Sequence, residues 1–281
     1  LADHGVDWIQ PPSPLAHPLD DGTAVVLERS LADTGAGLGE DARAWQRLFG
    51  PLVDASDELV AGTLAGPRPP RHPMHMARFG LSALRSASSL ARSRFDGERA
   101  RALFAGNAAH SMLPLEAPAT ASFGLILAML GHSVGWPLPR GGSQTIADAL
   151  ASYLRSLGGE IETGHTVTSL RELASNQRKP LLLDVTPRQF LALAGDELPA
   201  RYRRALEKYR YGPGVVKVDY ALSGPVPWRA PECGRAATVH LGGTLEEPCT
   251  ELVVDAVLHE HAYGGEADLA GVVELLDREV D

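Results

Sequence analysis

Two adjacent glycines, Gly141 and Gly142, lie between an arginine and a serine in the stretch "PLPRGGSQTIADAL". Glycine adopts positive φ without steric cost, so a ligand or another part of the backbone can come close to such a turn. Ser143 is a good N-cap and predicts that a helix begins directly after it. Amide groups at a helix N-terminus can bind an anion. The turn is therefore a candidate binding element, although a simple reversal of the chain would use the same residues.

No other motif in the sequence identifies a nucleotide-binding loop or a hydrolase. The glycines of "GAGLG" at Gly35–Gly39 have the wrong spacing for GxGxxG and follow "RSLADT" rather than a strand, so we interpret them as a surface turn. The sequence contains no GxxxxGK[ST] loop and no GxSxG elbow. The adjacent His110 and Ser111 do not by themselves form a catalytic triad.

Two pairs of histidines have a spacing that could suit a metal ion. His72 and His75 lie in the proline-rich stretch "HPMHM", and His259 and His261 alternate in "HEH". Zinc sites use three or four protein ligands. Because neither pair has a further cluster of ligands nearby, we interpret both as loop or surface histidines and predict no metal site.

Two groups of arginines could suggest contact with nucleic acid. They lack the context of a nucleic-acid-binding motif, so we interpret both groups as solvated helix faces and predict no nucleic-acid partner. The groups are Arg85, Arg92, Arg94, Arg99 and Arg101, and Arg201, Arg203, Arg204 and Arg210.

The net charge of −9 is concentrated at the end of the chain. Residues 246–281 contain eleven acidic residues and one basic residue, Arg278. Subtracting these from the 35 acidic and 26 basic residues of the whole chain leaves 24 and 25, so residues 1–245 are almost neutral. This break predicts a boundary near Glu246 and gives no reason to expect electrostatic steering of a cationic partner by the main part of the chain.

Cysteine use and the first residue bear on where the protein works. Cys233 and Cys249 form no CxxC pair, and reduced thiols in a cytoplasmic protein fit them best. Nothing resembles a secretory leader, and since Leu1 is not methionine we expect it to lie inside a longer reading frame.

The longest apolar run, Ala117–Leu130, is too short and broken to cross a bilayer. We expect a buried helix there, with the wall of a lipophilic pocket or a peripheral membrane contact as the alternatives.

The first half of the chain predicts a hairpin followed by helices. The turn at Asp20–Gly22 precedes a strand at Thr23–Glu28. Helical stretches follow around Glu40–Ala61 and Leu81–Phe104, separated by "GPRPPRHPMHM", where the prolines should exclude a helix.

The second half predicts a helix and a series of strands. Apolar residues recur at helical spacing after Ser143, until Gly158 and Gly159 end the helix. Strands are expected at Glu160–Thr163 and at Pro180–Val185, the latter buried on both faces, which suggests part of an α/β layer. A basic helix at Pro199–Arg210 then precedes two more strands. They are the alternating Val215–Leu222 and the short Ala236–Gly243.

In their order along the chain, these stretches resemble the phytoene desaturase-like branch of FAD-dependent oxidoreductases, within the flavin amine oxidase superfamily. The similarity covers approximately Leu1–Thr244, and its most specific elements are "WPLPRGGSQTIADAL", "GGEIETGHTV" and "YGPGVVKVDYALSGPVPW". Residues 246–281 do not resemble the last segment of that family. The N-terminal unit that carries GxGxxG in the family would precede Leu1.

The resemblance implies an α+β or α/β fold with a partial FAD-binding domain of the glutathione reductase-like type. Residues 1–134 would be a substrate domain with a helical lid, and 135–210 would be a segment that returns to the FAD domain. Residues 211–245 would rejoin the mixed sheet of the substrate domain, and 246–281 would form a diverged or unrelated acidic tail.

The resemblance also implies sites. The backbone of Val167 would contact the adenine side of FAD, and Gly141 and Gly142 would lie close to the place where cofactor and substrate meet. Trp136, Lys217 and Asp219 are candidates for the substrate pocket. For Lys217 and Asp219, the alternative is a pair of solvated surface positions.

The expected activity follows from the same resemblance. In such an enzyme the flavin ring takes the hydride or electron pair, and the protein supplies orientation and a dry, apolar pocket. We therefore expect an FAD-dependent oxidoreductase acting on a small lipophilic substrate, present here as an internal, truncated piece. The alternative is a non-catalytic binding or interaction module that does not retain FAD, because the phosphate-binding loop is missing from this sequence.

Overall fold

The computed structural model describes residues 1–64, 69–173, 180–212, 214, 216–245, 254–258 and 269–275. For residues 216–221, 254–258 and 269–275 it describes the backbone alone. The chain divides into a first unit, residues 1–150 and 213–281, and a second unit, residues 151–212. Within the described ranges, no helix has the length and apolar character needed to cross a membrane.

The first unit contains a two-stranded ribbon and a six-stranded mixed sheet. Its strands are β1 (Trp8–Ile9), β2 (Ser13–Pro18), β3 (Ala24–Leu27), β4 (Leu138–Pro139), β5 (Val216–Leu222), β6 (Ala236–Leu241), β7 (Val254–Leu258) and β8 (Leu269–Leu275). Strands β1 and β4 pair in the ribbon. The sheet order is β3-β2-β6-β7-β8-β5, with β2 and β6 parallel and every other neighbouring pair antiparallel. Residues beyond 245 thus supply two inner strands of this sheet.

Helices fill the remainder of the first unit. They are α1 (Leu31–Gly37), α2 (Ala42–Asp54), α3 (Ser56–Thr63), α4 (Pro73–Ala83), α5 (Ala87–Arg94), α6 (Glu98–Ala109), α7 (Ala121–Ser133) and α8 (Gln144–Ser156). The division between the two units falls within α8.

The main core lies among the helices and is built around stacked aromatic rings. The ring of Trp45 on α2 lies 4.3 Å from that of Phe49 and 5.5 Å from that of Phe95, centre to centre. Phe104 on α6 continues the cluster at 6.2 Å from Phe95. All four side chains are fully buried, so this group fixes the helices around a dry centre.

A buried carboxylate holds α6 in place. Asp41 accepts hydrogen bonds from the backbone N–H groups of Asp96 and Gly97, at 2.9 and 2.7 Å. Gly97 is the N-cap residue of α6 and has no side chain to cap the helix itself. Asp41 therefore fixes the two residues that lead into α6 and places a negative charge near the helix N-terminus, where the helix dipole favours it.

The sequence predictions for the first half are confirmed in outline. The hairpin is present as β2 and β3, and the helix predicted at Glu40–Ala61 is divided into α2 and α3 at Ala55. The helix predicted at Leu81–Phe104 is divided further, into the end of α4, α5 and most of α6. The exclusion of a helix by the prolines is wrong at Pro73, which begins α4, because proline suits a first helical turn.

Three of the arginines predicted to be solvated have structural roles. Arg99 donates to the backbone carbonyls of Gly37 and Ala24, and so joins α6 to the end of α1 and to β3. Arg85 and Arg101 also donate to backbone carbonyls, those of Ser89 and Phe95. These side chains hold the fold together rather than presenting a free cationic face.

The predicted buried helix, the basic helix and two strands of the second half are confirmed. The apolar run forms α7, which packs against α2 and α6. The basic stretch forms a helix at Ala200–Glu207 in the second unit, and the two strands form β5 and β6.

The second unit is helical and has little interior. Its own helices are α9 (Leu170–Leu173), α10 (Pro187–Ala194) and α11 (Ala200–Glu207). A capping box between Thr186 and Gln189 begins α10. Of its described residues, only Ala194 is buried.

Two predicted strands of this unit are wrong. Residues 160–163 and 180–185 have no strand pairing, and Leu182, expected to be buried on both faces, is 92% exposed. The apolar face of α8 is exposed as well, with Leu157 at 68%. An apolar strand is stable only where neighbouring strands accept its backbone hydrogen bonds, and the described residues of this unit supply none.

Candidate functional site

The glycine turn follows the β1–β4 ribbon and leads into α8. Gly141 and Gly142 both have positive φ, at 85° and 87°. The N–H of Gly142 donates to the carbonyl of Pro139 at 3.0 Å, and its own carbonyl accepts from the hydroxyl of Thr145 at 2.9 Å. Positive φ at two successive positions favours glycine at both, so the expected backbone conformation of the turn is confirmed.

The turn is anchored at its start by an arginine. The backbone N–H of Arg140 donates to the carbonyl of Asp7 at 2.8 Å, and its side-chain Nε lies 2.7 Å from the Asp7 carboxylate. Helix α8 begins at Gln144, directly after Ser143, as predicted. The arrangement holds two residues without side chains at the N-terminus of a 13-residue helix.

Three histidines that the sequence does not connect meet inside the first unit. His17 lies on β2 and His240 on the neighbouring parallel strand β6, and both are buried. The Nε2 atoms of His240 and His110, the residue that ends α6, are 3.0 Å apart. The Nε2 of His17 lies 2.7 Å from the carbonyl of Gly243 and donates to it. We call His17, His110 and His240 the histidine cluster.

Trp136, predicted for the substrate pocket, lies beside this cluster. Its ring centre is 6.1 Å from that of His240. The side chain is half-buried and packs against the main core. The structure therefore brings one predicted pocket residue together with a group of titratable side chains, while its contact with a substrate stays a prediction.

A glycine on α6 makes room for the cluster. A Cβ atom at Gly106 would lie 2.8 Å from Nδ1 of His17 and 3.0 Å from Nδ1 of His240. Real Cβ atoms do not approach other heavy atoms so closely, so any other residue would displace both rings. The two imidazoles thus lie directly against the helix backbone.

Burial determines the charge state of His240. Desolvation lowers the pKa of His240 well below its ordinary value, and the neighbouring His110 and His17 lower it further. His240 is therefore neutral at pH 7. In its hydrogen bond with His110 one ring nitrogen donates and the other accepts, so the two rings must have complementary tautomers at Nε2.

Lys217 and Asp219 lie on the edge strand β5. They are paired in register with Glu274 and Val272 of β8. Their side chains lie outside the described part of the structure, so their role in a substrate pocket stays a prediction.

The residues implied for FAD fit the cofactor unevenly. At the turn, Gly141 is exposed and its backbone is open to the approach of a cofactor, whereas Gly142 is buried. Val167 belongs to the second unit and is half-buried in a segment without strand pairing. The regular strand that would present its backbone to the adenine is not formed, so the fit rests on the turn alone.

The structure also changes the interpretation of the first histidine pair. A possible third ligand, Glu58 on α3, lies near His72 and His75 of α4, so the prediction that no further ligand is close is wrong. The signal is absent from the sequence because Glu58 lies on a different helix. His259 and His261 lie outside the described residues.

Comparison with models of known protein families finds no match, and no curated protein matches the sequence. Among solved structures, the chain is similar to a double mutant of putrescine oxidase from a study of redesigned cofactor binding. The TM-score is 0.51 at 15% sequence identity, and the match covers 99% of this chain and 61% of that chain. This chain thus spans less than two thirds of that protein. The likeness shows a fold shared with putrescine oxidase, while membership of the amine oxidase superfamily and of its desaturase-like branch stays a prediction.

Proposed function

We propose that this chain belongs to an FAD-dependent oxidoreductase of the phytoene desaturase-like kind, acting on a small lipophilic substrate. The observation that carries the proposal is the likeness to putrescine oxidase, a flavin amine oxidase, along 99% of the chain. It agrees in superfamily with the resemblance carried by the sequences of the glycine turn and of the stretch "GGEIETGHTV". The partial glutathione reductase-like domain and the FAD contact at Gly141 and Gly142 are parts of this proposal.

The lipophilic substrate is proposed from the apolar environment of the first unit. Helix α7 carries no acidic, lysine or arginine side chain, and Trp136 lies three residues after its end. The ring of Trp136 lies beside that of His240, which is neutral at pH 7. Apolar, uncharged surroundings of this kind favour an apolar ligand over a charged one.

The second candidate function is a binding or interaction module that does not retain FAD. It is favoured by the absence of strand pairing at residues 160–163 and 180–185, where the returning FAD-domain segment was expected to be regular. Without these paired strands and without a phosphate-binding loop, many of the contacts that bind a dinucleotide are missing.

The two functions differ in whether the purified chain binds FAD. We expect equilibrium dialysis against FAD to give saturable binding, seen as an excess of flavin absorbance at about 450 nm in the protein compartment. Gly142→Ala should weaken this binding, because alanine is strained at positive φ and would shift the backbone of the turn.

Gly39→Ala is the matched control, since Gly39 also has positive φ (61°), its Cβ would meet no atom, and it lies outside the segment assigned to the FAD domain. If the control lowers FAD binding as much as Gly142→Ala, the turn is not the contact. A chain that stays colourless at saturating FAD contradicts the first proposal and supports the second.

A further inference from the structure

Helices α3 and α4 bring three metal-ligating side chains together at the surface of the first unit. Glu58 lies on α3, His72 is the N-cap residue of α4, and His75 lies in the first turn of that helix. One ligand atom from each residue lies within 4.8 Å of the other two. Glu58 is half-buried and both histidines are exposed.

The two imidazoles are already side by side. Their ring centres are 5.9 Å apart and the rings are nearly parallel, with an angle of 14° between their planes. Around a tetrahedral zinc ion, neighbouring ligand atoms are roughly 3.4 Å apart, as metal–ligand distances of about 2.0–2.1 Å require. Rotation of the exposed histidine side chains can bring the ligand atoms from within 4.8 Å of one another to the zinc spacing without moving the helices.

A close contact between the two helices keeps Glu58 near α4. Gly62, one turn after Glu58, lies so near to Met76 that a Cβ atom there would be 2.6 Å from the sulfur. A pocket of about 200 Å³ opens between the carboxylate and His72. The pocket is also lined by Asp57 and Arg71, which carry charges of opposite sign.

We propose that Glu58, His72 and His75 form a Zn²⁺ site that joins α3 to α4. Two imidazoles and one carboxylate are the donor set of zinc sites with three protein ligands, in which water takes the fourth position. The site goes beyond the oxidoreductase activity proposed above and does not depend on it. Because the ligands come from two helices, bound zinc links them and stabilises the folded chain.

The test is calorimetric titration of the full 281-residue chain with ZnCl₂, after chelator treatment and dialysis. We expect binding that Glu58→Gln and His75→Gln each weaken by at least about tenfold, a loss at least as large as outer-shell changes produce. Zinc should raise the melting temperature of the unaltered chain, and neither variant should show the full rise. Mg²⁺, which prefers oxygen ligands and octahedral geometry, should not compete.

Matched controls separate this site from zinc bound elsewhere. Asp57→Asn removes the same charge from the same pocket, and His165→Gln removes an exposed histidine of the second unit. Both should leave zinc affinity within about twofold, below the change that loss of a ligand produces. Circular dichroism checks that each variant is folded. Equal affinities for Glu58→Gln and Asp57→Asn, or no saturable binding by the unaltered chain, would overturn the proposal.

Discussion

His132, near the end of α7, is held in one protonation state by its two neighbours. The indole N–H of Trp45 donates to its Nε2 at 3.0 Å, and its Nδ1 lies 3.3 Å from the carbonyl of Arg29. Indole nitrogen can only donate, so Nε2 must be unprotonated and Nδ1–H must donate to the carbonyl. Burial lowers the pKa of His132 from 6.5 to about 4, against smaller opposing effects of backbone hydrogen bonds.

This residue should make the folded state sensitive to acid. Its pKa is lower in the folded chain than in the unfolded chain, so the unfolded chain takes up the proton first as the pH falls. The stabilisation is complete above pH 6.5 and is lost as the pH falls towards 4. Between pH 7 and pH 5 the loss from this one group is about 2 kcal/mol.

The measurement compares the unaltered chain with His132→Gln by urea unfolding at both pH values. Glutamine can still accept from Trp45 but does not titrate, so the gap in unfolding free energy should shrink by about 2 kcal/mol at pH 5. The lowered pKa of His240 affects both proteins alike and cancels in the difference. A gap that is the same at both pH values would show that His132 is not the titrating group.

Helix α6 lies between the sheet and the other helices, and small residues allow its close approach on both sides. Gly106 lies against the two strand histidines, and Phe104 lies so near to Gly124 of α7 that a Cβ atom there would be 2.9 Å from its ring. Contacts this short leave no room for a methyl group. The position of the helix, and with it the geometry of the histidine cluster, depends on these glycines.

A pair of glycine substitutions tests this packing. Gly106→Ala should lower the free energy of unfolding by about 1–3 kcal/mol, because both imidazoles must move. Gly80→Ala, on α4, is the control, since a Cβ atom there meets nothing within 4 Å. It should be neutral or stabilise the chain by up to about 1 kcal/mol, as alanine is the better helix former. Thermal and urea unfolding measure both. The same sign for both variants would contradict the packing described here.

How well each element could be predicted follows from what the element needs. Helix α7 and the hairpin were predictable because their signals are local, namely an apolar run and a tight turn. The strand expected at Pro180–Val185 has an equally clear apolar pattern, but a strand also needs neighbours, and no sequence pattern states whether they are present. The end of α2 at Ala55 was missed because that position has neither a proline nor a glycine, the residues that mark the end of a helix in a sequence.

The candidate sites were less predictable than the elements. The glycine turn was found because its chemistry lies in consecutive residues. The histidine cluster was missed because parallel pairing of β2 with β6 joins residues more than 200 positions apart. Glu58 was missed because packing of two helices, not spacing, brings it to His72 and His75. Sites assembled by tertiary contacts leave no periodic signal in a single sequence.

At the scale of the whole molecule, the two units differ in how much of their surface is buried. Among the described residues, every large side chain that is fully buried belongs to the first unit, including Trp45 and Phe104. The described part of the second unit leaves its large apolar side chains partly or fully exposed. The most exposed of these are Leu154, Leu157, Ile161, Leu181, Leu182, Tyr153, Tyr202, Tyr209 and Tyr211. Since burial of apolar surface is the main stabilising term, each unit should have its own resistance to opening.

Limited proteolysis with trypsin should therefore cut the second unit first. Arg155, Arg171 and Arg201 lie in helices of that unit, while Arg47 and Arg101 lie in α2 and α6 around the buried aromatic core. Cleavage needs local opening, which costs little where few contacts are lost and approaches the global unfolding free energy in a packed core. Mass spectrometry of early time points should show peptides ending at the first three sites well before the last two. Equal rates at both sets would mean that the helices of the second unit are as well protected as those around Trp45, and the contrast in burial would then have no energetic consequence.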